Sequence, residues 1–232
     1  QLLFNRFVFS QTIHKIIVLK DLLSALNPEQ REAVVHAKGP SMVIAGAGSG
    51  KTRVLTYRIA HLMNQGVDSF NILSLTFTNK AAREMRERIG KLVGESESKN
   101  LWMGTFHSVF ARILRIEGSK LGYPSNFTIY DAEDARKVVA LITKEKNLDK
   151  EIYKTKAVAN KISSLKNNLI TPKVYFNSPE LIVQDEAARM PLLGAVYAAY
   201  CERCFRAGAM DFDDLLLKTN ELLYKFPDVL AK

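Results

Sequence analysis

Two hydrophobic rhythms divide the chain. In the first half, short apolar runs alternate with segments of helical period. Met42-Val43-Ile44 predicts a buried strand. Beyond a glycine-rich turn, Val54, Leu55, Tyr57, Ile59 and Leu62 predict a helix. Gly66 and Asp68 mark a turn, and Ile72-Leu73-Ser74-Leu75-Thr76-Phe77 predicts a second strand. The next helix has Asn79 as its expected cap and Ala82, Met85, Ile89 and Leu92 as its inward stripe. Its outward positions carry Lys80, Arg83, Arg86 and Arg88. A third strand is expected over Leu101 to Phe106. The order strand, helix, strand, helix, strand predicts a parallel α/β sheet, with ligands at the carboxyl ends of its strands.

From Val109 the helical period dominates. Asp131 caps a helix through Ala135, Val138, Val139, Leu141 and Ile142, and another runs from about Lys154 to Lys166. A third covers Pro179 to Arg189, and a fourth runs from Leu192 to Arg206 and stops at Gly208. Residues 109–207 are expected to form an all-helical second domain. Lysines 144, 146, 150, 154, 156, 161 and 166 make it basic, as a duplex-facing or a solvated surface. Asp211, Asp213 and Asp214 precede an apolar stretch. Three close acids are a possible metal set, but capping of the next helix by Asp211 is the favoured reading.

Composition narrows the partner. A net charge of +9 and a pI near 9.5 favour a polyanion, nucleic acid before membrane. Cys201 and Cys204 lie inside a helical pattern without further ligands nearby, so two half-buried thiols are expected rather than a zinc or redox site. Nothing points to an oxidising compartment, and a cytoplasmic location is expected. Residues 1–20 lack a continuous apolar core with a cleavage site, so a signal peptide is not expected, and no run reaches membrane-span length. The chain does not begin with Met and is expected to start inside a longer reading frame.

Chemistry concentrates at the strand ends. Ala45-Gly46-Ala47-Gly48-Ser49-Gly50-Lys51-Thr52, between a predicted strand and helix, is a phosphate cradle. Lys51 is expected on the β- and γ-phosphates and the Thr52 hydroxyl on Mg²⁺. Ala45 stands where the general pattern has Gly. Upstream, Asn27 caps a helix that begins at Pro28, and the Gln30 amide matches the donor and acceptor of an adenine edge. Thr78, Asn79 and Lys80 form a helix start suited to a nucleic-acid phosphate. Thr105 and Ser108 offer hydroxyls, while Phe106 and His107 offer flat faces for bases.

With Arg53 after the phosphate loop, these segments resemble the UvrD/Rep/PcrA family of superfamily-1 DNA helicases. The likeness runs from about Leu22 to the end. It rests on Leu26 to Val34, Ala45 to Arg53, Leu75 to Met85, Gly104 to Ser108 and Asp211 to Leu216. That family also has Ala at the start of its phosphate loop. The resemblance implies a motor that uses ATP and Mg²⁺ to move 3′ to 5′ on single-stranded DNA and open duplexes, in repair or replication. It implies an incomplete RecA-like sheet (residues 21–108, returning at 208–232) with an inserted helical subdomain at 109–207. Gln30 and Arg53 would serve the adenine, and Thr78, Asn79, Thr105, Phe106 and His107 the single strand. Partners would be single-stranded DNA, junctions with duplex, and loading or repair proteins.

The family's acidic Walker B motif is expected beyond Lys232, so negligible hydrolysis is expected of this segment alone. Two other readings stand beside this one: a self-sufficient nucleotide- or nucleic-acid-binding module, and part of a helicase–nuclease.

Overall fold

A computed structural model describes residues 22–36 and 38–231. The expectations for residues 1–20 lie outside them. The protein is α/β, mostly helical, with two short pairs of parallel strands. It divides after Phe106 into two compact units.

In the first unit, helix α1 (Pro28–Val35) starts at a capping box. Asn27 Oδ1 accepts from the Gln30 N–H at 2.8 Å, and Gln30 Oε1 accepts from the Asn27 N–H at 3.4 Å. Val34 packs with Leu26 and with Val54 of helix α2 (Lys51–Asn64). Arg58 ties the two helices by donating to the Ala33 carbonyl at 2.9 Å and to that of His36. Strand β1 (Leu73–Thr76) leads to helix α3 (Asn79–Val93), short helix α4 (Glu95–Asn100) and strand β2 (Trp102–Thr105). The strands pair in parallel, with Leu73 opposite Trp102 and Thr76 opposite Thr105. Met85 and Ile89 of α3 close a core with Ile59, Ile72, Leu101 and Met103.

Two expectations need correction here. Met42-Val43-Ile44 is not a buried strand: the segment is irregular, and Met42 and Ile44 are 83% and 85% exposed. A strand exists through its ladder partners, and among the described residues β1 and β2 pair only with each other. The cap of α3 is Thr78, whose hydroxyl accepts from the Ala81 N–H at 3.1 Å, and Asn79 is the first helical residue. Arg86 is exposed as expected, and it also donates to the Met103 carbonyl at 2.7 Å, which anchors α3 to β2.

Helix α5 (Phe106–Glu117) opens into the second unit. There follow strand β3 (Thr128–Tyr130) and helices α6 (Ala132–Glu145), α7 (Thr155–Asn167), α8 (Pro172–Phe176), α9 (Pro179–Ala187) and α10 (Leu193–Arg206). Strand β4 (Ala209–Asp211) and helices α11 (Phe212–Lys225) and α12 (Pro227–Leu230) complete it. Asp131 and Asp211 head α6 and α11 through capping boxes with Asp134 and Asp214. One core joins α6, α7 and α10 through Val139, Ile142, Val158, Ile162, Val196, Tyr197 and Tyr200. A second gathers Leu114, Tyr123, Phe127, Met210, Leu215 and Leu222.

The stretch expected to be helical throughout contains β3, which pairs in parallel with β4 (Tyr130 opposite Asp211). Three residues are too few to show a period of two. Lys166, counted among the surface lysines, is buried. Cys201 is half-buried and Cys204 buried, both as free thiols.

This core resists deprotonation. Burial raises the thiols of Cys201 and Cys204 from 9.0 to about 11 and about 12, and raises the phenols of Tyr197 and Tyr200 above their usual 10.0. Burial alone would lower the Lys166 ammonium, but Asp214 and Asp211 outweigh it and raise it above 10.5. Each group keeps its proton in the folded state after the unfolded chain has lost it. Stability therefore falls as pH rises through this window. Melting followed by circular dichroism should show a second unit that is unaffected up to about pH 9 and progressively weaker above it.

Candidate functional site

The site builds from backbone conformation. Gly48 and Gly50 adopt φ of +78° and +86°, which side-chain-bearing residues avoid. Gly50 is the N-cap of α2 and supplies no side-chain cap, so the first N–H groups of that helix are not satisfied by one. Residues Gly46 to Ser49 and Lys51 to Arg53 are exposed. Ser49 Oγ donates to the Gly46 carbonyl at 2.8 Å. The Lys51 ammonium lies across the loop, donating to the Ala45 and Gly46 carbonyls at 2.9 and 2.7 Å. A positive group thus sits beside a glycine backbone at the positive end of a helix, an arrangement that fits an anion.

Gln30 is brought to this loop from α1. Its Nε2 donates to the Ser49 carbonyl at 2.9 Å, and its Oε1 completes the capping box of its own helix. The approach is close: a Cβ on Gly50 would lie 2.8 Å from Gln30 Nε2. Arg53 is near the loop but engaged elsewhere, with Nη2 donating to the Ala25 carbonyl at 2.6 Å and its guanidinium 5.4 Å from the Tyr57 ring centroid. Thr52 is exposed on the first turn of α2.

A second group gathers at the carboxyl ends of β1 and β2. Register sets Thr105 beside Thr76, and Thr76 Oγ1 donates to the Thr78 carbonyl at 3.1 Å. Thr78, Asn79 and Lys80 are exposed there. Phe106 meets Phe77, with ring centroids 5.9 Å apart. Phe77 is 93% exposed and was absent from the expected site. Ser74 and Thr76 are buried while Leu73 and Phe77 are exposed, the reverse of a core strand, so the apolar run itself does not mark Phe77 as exposed. His107, the first residue of the second unit, meets another unexpected aromatic, the half-exposed Phe212, at 5.5 Å.

The first unit thus presents a glycine loop with a lysine laid across it and, at its strand ends, the exposed rings of Phe77 and Phe106. The family model for the UvrD/REP helicase N-terminal domain matches residues 26–232, and the chain belongs to that family. It is 41% identical to the ATP-dependent DNA helicase PcrA of Leuconostoc citreum over 92% of this chain and 28% of the relative. It is 46% identical to the ATP-dependent DNA helicase UvrD1 of Mycobacterium bovis over 90% of this chain and 27% of the relative. Against PcrA of Staphylococcus aureus identity is 43% over 90% of this chain and 28% of the relative. The chain thus spans little more than a quarter of the length of these relatives. Among the described residues no helix is long and apolar enough to cross a membrane.

Gly50→Ala should strain the loop twice, through its left-handed backbone and through Gln30. A loss of about 1–2 kcal/mol is expected in thermal denaturation of the first unit. Adding Gln30→Ala should recover the steric part and leave the backbone part. Full recovery would show that φ at this position carries no strain.

Proposed function

We propose that this chain is the ATP- and single-stranded-DNA-binding part of a 3′-to-5′ DNA helicase that acts in repair or replication. The observation that carries this reading is the open phosphate loop with Gln30 held against it. An amide fixed beside a phosphate cradle is suited to an adenine edge, which offers one donor and one acceptor. Lys51 would leave its loop carbonyls for the β- and γ-phosphates, and Thr52 would take Mg²⁺. Bound Mg²⁺ would neutralise phosphate charge as the terminal phosphoryl group is transferred. Arg53 would turn from Tyr57 toward the base.

The single strand would lie over the strand ends. Thr78, Asn79, Lys80 and Thr105 would meet its phosphates, which position without specifying sequence. Phe77 and Phe106 in the first unit would stack bases, as would His107 and Phe212 in the second, and stacking suits a motor that must accept any sequence. Residues 21–108 would be the first part of a RecA-like motor domain, with 109–207 a helical insertion and 208–232 a return segment. The whole protein would work in the cytoplasm on junctions between single strand and duplex, loaded by other repair proteins. Hydrolysis also needs a group to orient the attacking water. None of the residues assigned to the nucleotide here has that role, and this chain alone would bind ATP with negligible turnover.

Lys51→Ala should abolish ATP binding in calorimetry while sparing single-strand affinity. An unchanged ATP affinity would remove the loop assignment. Lys51-dependent ATP turnover by the 232-residue chain itself would refute the proposed division of labour.

Affinity for single-stranded DNA should fall steeply with salt, because lysine and arginine contacts release counterions. Phe77→Ala should weaken binding roughly five- to a hundredfold without flattening the salt slope, since it removes stacking and no charge. Fluorescence titrations across a salt series check both, and a salt-independent affinity would sink the phosphate contacts.

A further inference from the structure

Phe212 is held from both sides by the last turn of α7. On one side, the Lys166 side chain is fully enclosed. Its ammonium lies 2.7 Å from Asp211 Oδ2 and 2.8 Å from Asp214 Oδ1, and 4.9 Å from the Tyr200 ring centroid. Tyr200 donates its hydroxyl to the same Asp211 Oδ2 at 2.7 Å. The remaining oxygens serve the capping box: Asp211 Oδ1 accepts from the Asp214 N–H at 2.8 Å, and Asp214 Oδ2 from the Asp211 N–H at 3.2 Å. All four carboxylate oxygens are engaged. On the other side, Asn167 Nδ2 donates to Asp213 Oδ1 at 3.1 Å. Adjacent residues of α7 thus grip the residues before and after Phe212, whose ring is half-exposed against His107.

A buried ion pair adds little net stability, because desolvation cancels much of the attraction. What a fully satisfied polar network gives is one fixed geometry. Here the fixed object is the backbone on which Phe212 stands. We propose that Lys166 is a positioning residue for single-strand binding, acting through Asp211, with Asn167 acting through Asp213, to hold the Phe212 ring at the angle that bases meet. This rests on the reading above that Phe212 stacks on the single strand. Lys166 itself touches no DNA, since it is enclosed.

Two single-stranded oligonucleotides in the full-length protein provide the test, one with bases and one with the same phosphate backbone but abasic. Phe212→Ala should lower affinity for the first about tenfold and leave the second unchanged. Lys166→Met, which keeps length and drops charge, should reproduce that selective loss. Asn167→Ala, at an exposed position, should give a smaller loss of the same kind and still fold if Lys166→Met does not. A Phe212→Ala loss with full affinity retained by Lys166→Met, or by Asn167→Ala where Lys166→Met fails to fold, overturns the positioning role. So does an equal loss on both oligonucleotides, which marks general unfolding. If Phe212→Ala changes nothing, the stacking reading falls first, and the positioning role falls with it.

Discussion

A helix start leaves backbone N–H groups without partners, and something must meet them. Some helix starts of this protein meet this constraint with a side chain and others do not. Asn27, Thr78, Asp131 and Asp211 satisfy the starts of α1, α3, α6 and α11 from their own side chains. Gly50 offers α2 nothing. The capped starts are structural fixtures that aim neighbouring residues, such as Lys80 after Thr78 and Phe212 after Asp211. The starts of α4, α7, α9, α10 and α12 also lack a side-chain cap, and what sets α2 apart is the glycine loop before it with Lys51 laid across that loop. Glycine at position 50 is required twice, by its φ and by the nearness of Gln30. The same residue that opens the cradle therefore admits the amide set beside it.

Much of this was legible because local rules agreed with one another. The phosphate loop carries its glycines where positive φ occurs, and Asn27 with Gln30 announces a capping box in sequence. The helices headed by Asp131 and Asp211 were equally readable, since a cap followed by an apolar period is a short-range signal. Gly208, at φ of +59°, ends the α10 segment where the sequence placed the stop.

What escaped depends on contacts between distant residues. Met42-Val43-Ile44 has the composition of a strand, but a ladder is a property of two segments, and no described partner lies beside it. Lys166 looked like one more cation in a basic helix. Only the fold brings Asp211 and Asp214 to it across some forty-five residues. Phe77 was read only as the last residue of a predicted strand. Its exposure follows from which face of β1 is covered, and the run alone does not say which.

The two aromatic contacts at the chain's division show how local and distant effects combine. Phe106 and His107 are consecutive in sequence, yet each finds its partner within its own unit: Phe77 for the first, Phe212 for the second. Each partner stands beside a cap, Phe77 just before Thr78 and Phe212 just after Asp211. Caps fix backbone direction at the ends of strands, where side chains have few neighbours to restrain them. An exposed ring on a loose loop would lose orientational freedom on meeting a base, and that loss opposes binding. A ring beside a cap has already lost it in folding. The enclosed charges around Lys166 extend this logic inward, because α11 can orient Phe212 only as well as its first turn is held.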